Sequence, residues 1–247
     1  MSSHAEAPRY SGDMSPISPP RATRSTELAI AAIAVVTALV LTLAFADLTR
    51  RVIMPTWLQV SGAYLAVWVP LGAAVAVSAR RNPVRWRRLL RITPLDVLLG
   101  IGVGLLARAT ATLIQAGLTG VMPAGGIRLE LDPVTWWVGL LIAPVLLAPL
   151  VEELFFRGLT QPAVADTARA AGSRPRAAAA TGVVVAAAVF ALLHTLDAAT
   201  PSGAWTVGLS TFVLGCAVGA LVATTGRLGG AFVAHAVFNL TLVLLLM

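Results

Sequence analysis

The chain has no lysine, a single cysteine and few charged residues of either sign. Charged residues make up 12% of the sequence and hydrophobic residues 57%, with a mean hydropathy of +0.85. Soluble domains carry about a quarter charged residues, so the composition excludes an ordinary soluble domain and predicts a polytopic membrane protein. Because Cys216 is the only cysteine, an intrachain disulfide and a Cys-x-x-Cys metal site are also excluded.

The chain has a net charge of +7, and every one of its basic residues is an arginine. A basic chain can bind nucleic acid, but these arginines cluster in loops between apolar runs, which is the pattern of membrane topology. We therefore expect the lipid bilayer and no nucleic acid as a partner. The sequence does not indicate an oligomeric state.

The apolar runs define the predicted organisation. About 20 apolar residues cross a bilayer, and the runs predict spans at 28–46, 56–78, 96–120, 134–157, 177–196, 205–225 and 229–247. The predicted fold is an all-α, polytopic transmembrane helical bundle of about seven spans, within a range of six to eight. Residues 1–26 are predicted to be a disordered cytoplasmic tail, residues 27–133 a set of N-terminal transmembrane helices, and residues 134–247 a second membrane domain.

Arginine distribution orients these spans. Thirteen arginines fall on the side of the N-terminus and three on the other side, so the positive-inside rule predicts a multi-pass protein of the cell membrane with a cytoplasmic N-terminus. The arginine-rich stretch 80–91, which includes Trp86, is either an interfacial segment on anionic headgroups or a plain cytoplasmic loop. Arg108 lies within a span and is interpreted either as an internal partner of a polar group or as a snorkelling residue.

The segment 148–158 places two adjacent glutamates and an arginine in an apolar run. Each charge costs roughly 2.5–3.5 kcal/mol to insert, so the group requires a purpose. Glu153 and Arg157 are four residues apart on one helix face, whereas Glu152 is turned away from Glu153 by about 100°. This spacing predicts a structural Glu153–Arg157 ion pair and a Glu152 that faces a cavity as a general base. Alternatively, the span ends at Leu150 and the charges lie among the headgroups.

Two histidines also lie in apolar runs. His194 follows Phe190 by one helical turn, and His235 precedes Asn239 by one turn. An imidazole and an amide on one face are able to donate to the same oxygen, as an oxyanion hole requires. Each pair also fits a packing role or a helix–helix hydrogen bond. Their joint occurrence with the glutamates favours activation of water.

Together these residues carry a family resemblance. Glu-Glu-x-x-x-Arg at 152–157, Phe-x-x-x-His at 190–194 and His-x-x-x-Asn at 235–239 resemble the motifs of the CPBP intramembrane proteases. That family includes the type II CAAX prenyl endopeptidases and the bacterial Abi or bacteriocin-processing proteins. The resemblance covers residues 134–247 and implies that the four C-terminal helices form a catalytic core.

The resemblance implies a role for each motif residue. Glu152 and His194 would activate the attacking water, and His235 with Asn239 would stabilise the oxyanion. The supporting residues would be Glu153 and Arg157, which hold the site in place, and Phe190, which packs beneath His194. The expected activity is an endopeptidase that acts on membrane-associated peptides or membrane proteins.

No cofactor is favoured. A zinc site made of Glu152, His194 and His235 is the alternative, because two histidines and one carboxylate form a known catalytic ligand set. The sequence has no His-Glu-x-x-His helix, which would indicate zinc strongly. We therefore expect hydrolysis without a metal.

Two further functions compete with the protease interpretation. A non-catalytic scaffold of the same fold would be expected to have lost a glutamate or histidine, and this chain has kept all of them. A proton-coupled transporter would be expected to show pseudo-repeats with broken helices, and the sequence shows none.

One difficulty concerns depth in the membrane. If the glutamate-bearing span ends near residue 157, His194 lies about 15 Å or more from Glu152 along the membrane normal. Either that span continues through about Ala168, or the connection 197–204 dips into the membrane. The few charges between Leu159 and Ala168 favour the longer span, with a site that is reached from the cytoplasm.

Overall fold

The protein was analysed as a computed structural model that describes residues 21–122, 132–196 and 198–246. Within these ranges the regular structure is entirely helical, which confirms the all-α prediction. The eight helices are α1 Arg21–Arg51, α2 Thr56–Arg81, α3 Pro83–Leu89, α4 Pro94–Thr119, α5 Thr135–Ala170, α6 Pro175–Thr195, α7 Pro201–Thr225 and α8 Gly229–Leu246.

Six of these helices, α1, α2 and α4 to α7, are long and apolar enough to cross a membrane. Helix α8 is apolar but shorter, so the predicted seventh span is present as a shorter helix. The polytopic helical bundle is therefore confirmed. Helix α1 begins at Arg21, inside the segment predicted as a tail, and the remaining tail residues 1–20 lie outside the described residues.

The predicted fourth span, 134–157, is too short. Helix α5 runs for 36 residues, from Thr135 to Ala170, which is the longer of the two alternatives and places Glu152 near the middle of the helix. Its hydrogen bonding widens to π-helical turns over Thr135–Leu147 and Leu154–Thr160. Such turns are uncommon in proteins as a whole, but those that do occur are often found at functional sites.

Close contact between α4 and α8 depends on two glycines. A Cβ atom at Gly104 would lie 2.4 Å from the Ala234 carbonyl oxygen, and one at Gly100 would lie 2.7 Å from the Gly230 carbonyl oxygen. Only glycine permits the two backbones to approach this closely. This contact seats α8, which carries His235, directly against α4.

A buried ion pair sets the position of α8 along α4. Asp96 forms a capping box with Thr93 at the start of α4, and its two carboxylate oxygens accept hydrogen bonds from Arg227 Nε at 2.8 Å and Nη2 at 2.9 Å. These hydrogen bonds to Asp96 raise the pKa of the Arg227 guanidinium. Because Arg227 lies in the turn before α8, the pair fixes the height at which α8 enters the bundle.

Candidate active site

The predicted site residues of α5 and α8 meet inside the bundle. Glu153 and Arg157 are each 1% exposed, His235 is 2% exposed and Glu152 is 9% exposed. The alternative in which the charges lie among headgroups is therefore wrong, since charged side chains in headgroups would be solvated. Burial of charge at this depth requires partners.

Glu153 is the centre of this group. Its Oε1 atom lies 3.1 Å from Arg157 Nη1 and 2.8 Å from His235 Nδ1. The first contact confirms the ion pair predicted from the four-residue spacing, although its angle is too bent for a hydrogen bond, and Arg157 Nη2 donates instead to the Gly215 carbonyl at 3.4 Å. The second contact was not predicted, because nothing in the sequence pairs residues that are 82 positions apart.

The contact with Glu153 fixes the state of the His235 ring. An ionised carboxylate only accepts hydrogen bonds, so Nδ1 carries the proton of this contact. The ring is thereby held in one orientation, with its other nitrogen, Nε2, directed away from Glu153. A histidine oriented in this way by a carboxylate is a common element of catalytic sites.

Glu152 faces that second nitrogen. Its Oε2 atom lies 3.7 Å from His235 Nε2, which is beyond hydrogen-bonding distance. Among the described residues, Glu152 has no hydrogen bond to any other side chain or to the backbone outside its helix. The Glu152 carboxylate and His235 Nε2 therefore face each other, and neither accepts a hydrogen bond from a described residue.

Phe190 brings His194 to the same group. The Phe190 ring centroid lies 4.3 Å from that of His194 and 5.6 Å from that of His235, so one phenyl ring contacts both imidazoles. His194 Nδ1 lies 2.8 Å from the Phe190 carbonyl oxygen, which leaves Nε2 for other partners. The predicted packing of Phe190 against His194 is thus present, and the length of α5 resolves the difficulty of depth.

Asn239 also contacts α5. Its Nδ2 atom donates to the Pro144 carbonyl at 2.7 Å, within the first π-helical part of the helix. His235 and Asn239 therefore both point toward α5, as their shared helix face predicts. One of the two amide N–H groups is used in this contact, so donation to an oxyanion falls to the second.

Arg108 also lies in this region, and the sequence alone did not identify its partner. Its Nε and Nη2 atoms donate to the Phe238 carbonyl at 3.0 and 2.9 Å, and its guanidinium carbon lies 3.6 Å from the centroid of the Phe238 ring. Arg108 is therefore an internal partner rather than a snorkelling residue. It hydrogen-bonds to the backbone of α8 at the residue immediately before Asn239.

The donor set does not fit a three-ligand zinc site. In the part of the chain that the structure describes, no three His, Cys, Asp or Glu side chains form a group able to hold a metal ion. Glu152 and His235 Nε2 face each other, and Glu153 occupies His235 Nδ1, but His194 does not complete a coordination shell with them. The alternative set of Glu152, His194 and His235 thus lacks the convergence that zinc requires.

Comparison with known proteins addresses this region directly. No curated protein and no solved structure shows a significant match to the chain. Residues 134–241 match the family model described as type II CAAX prenyl endopeptidase Rce1-like, a range that contains every motif residue from Glu152 to Asn239. The chain is therefore similar to the CAAX-type endopeptidases in this region, which is less than half of its length.

Proposed function

We propose that this multi-pass membrane protein is an endopeptidase that hydrolyses peptide bonds of membrane-associated peptides or proteins with a water activated by Glu152 and His194. The observation that carries the proposal is the buried Glu152 carboxylate, which has no hydrogen bond among the described residues and lies 3.7 Å from His235 Nε2. The similarity of residues 134–241 to the model of a type II CAAX prenyl endopeptidase family supports the reaction class.

In the proposed reaction, Glu152, assisted by His194, takes a proton from water while the water oxygen attacks the carbonyl carbon of the scissile bond. The electron pair of the C=O double bond moves to the oxygen and forms a tetrahedral oxyanion. This intermediate collapses as the C–N bond breaks, and the proton held by Glu152 passes to the leaving amine nitrogen. The products are a free carboxyl group and a free amine, so atoms and charge balance.

The oxyanion would accept hydrogen bonds from His235 and Asn239. Since Nδ1–H of His235 is directed to Glu153, donation to the oxyanion requires a second proton on Nε2. In this step the ring therefore acts as an imidazolium, with Nδ1–H directed to the Glu153 carboxylate and Nε2–H directed to the oxyanion. Glu153, Arg157 and Phe190 would act as supports that hold the two imidazoles in place.

The same proposal includes the arrangement in the membrane. The excess of arginines on the side of the N-terminus supports a cytoplasmic N-terminus in the cell membrane. Because Glu152 lies inside the bundle near the middle of α5, a substrate would reach it from within the bilayer or through a polar entrance, which we place on the cytoplasmic side. Nothing in the site selects for a lipidated substrate.

The test is cleavage of a peptide library by the purified protein in lipid nanodiscs, with products identified by mass spectrometry. We expect wild-type protein to cleave a subset of peptides, and Glu152→Ala and His235→Ala to abolish that cleavage. Cleavage that survives both substitutions would contradict the assigned site. A folded wild-type protein that cleaves no peptide but captures one intact would instead indicate the non-catalytic scaffold.

A further inference from the structure

The short helix α3 connects α2 and α4 on the side where both helices meet the membrane surface. Helix α2 ends at Arg81 and α4 begins at Pro94, so α3 lies within a 12-residue connection between two spans and cannot leave the surface. Its sequence mixes arginine with apolar residues. This sequence pattern fits both an interfacial segment and a plain cytoplasmic loop.

The inner side of α3 is fixed to helices α2 and α5 and to the turn before α8. Trp86 is 3% exposed, and a Cβ atom at Gly158 of α5 would lie 2.6 Å from its ring. The polar contacts are Trp86 Nε1–H to Ser78 Oγ of α2 at 3.2 Å, Arg85 Nη2–H to the Gly158 carbonyl, and the Leu228 N–H, just before α8, to the Leu89 carbonyl at 2.8 Å. Helix α3 is therefore a rigid part of the bundle rather than a solvated loop.

Three exposed arginines lie on the outer side of α3 and just after it. Arg87 and Arg88 share one helix face with Val84, at spacings of three and four residues, and Arg91 follows two residues after the helix ends at Leu89. The described part of the chain shows no ion pair or hydrogen bond for any of the three arginine side chains. Glu27 and Asp166 act electrostatically on the inward-pointing Arg85 instead.

Exposed apolar side chains accompany these arginines. Val84 is 61% exposed, Leu90 54% and Ile92 62%, although all three lie outside the membrane-spanning helices. Large apolar groups in water are unfavourable, whereas at the boundary between headgroups and acyl chains they are buried. Arginine at the same level forms bidentate hydrogen bonds with phosphate. The combination matches an interfacial surface better than an aqueous one.

We propose that the outward face of α3, made of Val84, Arg87 and Arg88, together with Arg91 just after the helix, binds the phosphate headgroups of anionic phospholipids. The arginines hold the phosphate, and Val84 and Leu90 contact the upper acyl chains. The bound lipid would then sit on a helix whose inner side contacts α5 one residue beyond Arg157 and the chain just before α8. This inference concerns binding alone and does not depend on the proposed peptidase activity.

The experiment is a lipid titration of the delipidated full-length protein, with bound lipids counted by native mass spectrometry. We expect wild-type protein to bind phosphatidylglycerol more tightly than phosphatidylcholine. The triple substitution Arg87→Gln, Arg88→Gln and Arg91→Gln should weaken phosphatidylglycerol binding by at least about tenfold, because each basic residue at a membrane surface contributes a factor of roughly five. The matched control removes the same charge from Arg169, Arg174 and Arg176 and should weaken binding clearly less than the α3 variant does, because these arginines lie outside α3 and Arg169 is already paired with Asp166.

Equal losses in the two triple variants would overturn the proposal, because they would indicate nonspecific charge attraction, as would unchanged binding in the α3 variant. Soluble glycerol phosphate separates a lipid from a free phosphate ester: effective displacement of phosphatidylglycerol by it would also overturn the proposal. Should the triple variant fail to fold, the single substitutions Arg87→Gln and Arg91→Gln are each expected to weaken binding about fivefold. Binding unchanged in both single variants would overturn it as well.

Discussion

Asp96 and Glu152 are both buried carboxylates in the same helical bundle, and they differ in how many partners they have. Asp96 accepts hydrogen bonds from the Thr93 backbone and hydroxyl and from two nitrogens of Arg227. The Glu152 carboxylate has no hydrogen bond among the described residues, and its one ion-pair contact there is with His235 Nε2, at 3.7 Å. Glu27 resembles Asp96, since Ser78, Asn82 and Arg81 surround it.

The difference separates carboxylates that hold helices together from one that is available for chemistry. A buried carboxylate with a complete set of donors is stabilised where it is, and its hydrogen bonds couple the helices that supply them. A buried carboxylate without donors is costly to the fold, so its retention indicates a use other than stability. This contrast supports the proposed role of Glu152 as the proton acceptor more strongly than burial alone does.

The largest expected effect is on activity, in Glu152→Gln. The amide keeps the shape of the side chain but cannot accept the proton of water, so kcat should fall by about 10²- to 10⁴-fold while the apparent Tm stays unchanged or rises. Cleavage of a fluorogenic peptide in nanodiscs measures the first, and thermal unfolding of the same samples measures the second.

Glu27→Gln is the matched control for that variant, because it makes the same change in a carboxylate whose donors are complete. It should lower the apparent Tm and leave kcat within about twofold of wild type. If Glu27→Gln reduces kcat as much as Glu152→Gln does, or if Glu152→Gln destabilises the protein more than Glu27→Gln, the contrast between the two carboxylates is wrong.

Glu153→Gln is expected to affect stability and activity together. Arg157 is 1% exposed, and the amide would leave its buried charge without a counterion, which typically costs about 3–5 kcal/mol. The His235 ring would also lose the acceptor that orients it. Denaturant unfolding combined with the peptide assay measures both effects. A variant that loses activity but keeps full stability would show that Glu153 is a reacting group rather than a support.

Asp96→Asn should affect stability alone. The substitution weakens the hydrogen bonds that tie the start of α4 to Arg227 before α8, so the apparent Tm should fall by several degrees. Activity per folded molecule should stay within about threefold, because the α4–α8 contact at Gly100 and Gly104 remains. Activity assays below the unfolding transition measure this. A loss of kcat as large as that of Glu152→Gln would place Asp96 in the reaction.

The helix-period pattern predicted the local features of the site. Apolar run lengths located most of the spanning helices, and four-residue spacing identified the Glu153–Arg157 pair and the shared direction of His235 and Asn239. These features depend on neighbours along one helix, whose geometry is known in advance. The apolar run predicted a span that ends at residue 157, whereas the few charges between Leu159 and Ala168 favoured a longer one, and α5 does continue to Ala170.

Contacts between helices were beyond what the sequence could predict. The His235–Glu153 hydrogen bond and the Asp96–Arg227 pair join residues 82 and 131 positions apart, and no local spacing encodes them. The hydrogen bonds from Arg108 to the Phe238 carbonyl were likewise unpredictable, because a backbone acceptor has no signature in the sequence. Such contacts follow from the register of α4 against α8, which glycines permit without specifying uniquely.

A smaller effect is expected from Arg108→Lys. Lysine replaces two hydrogen bonds to the Phe238 carbonyl with one and loses the planar stack on the ring, so Asn239 is held less firmly. We expect kcat to fall roughly tenfold with KM nearly unchanged, since a shift of about 1.4 kcal/mol in the barrier is sufficient. Phe238→Leu keeps the carbonyl and removes only the stack, so its kcat should fall less. A rise in KM without a change in kcat would make Arg108 a substrate-binding residue.

The smallest expected effect is that of a chelator on the wild-type protein. Prolonged treatment with a zinc chelator should change the cleavage rate by less than about twofold, because the described side chains do not converge as three ligands. A zinc-dependent protease in the same buffer serves as the positive control. Loss of activity that added zinc restores would show that His194 moves to complete a site with Glu152 and His235. The Glu153→Gln variant tests the same point further. If His235 bound zinc, this variant would remove the carboxylate that orients His235, and the site would bind the metal more weakly. The residual activity of the variant would then be more sensitive to chelator than the activity of the wild type. In a metal-free enzyme, by contrast, the lower activity of Glu153→Gln would stay as insensitive to chelator as that of the wild type.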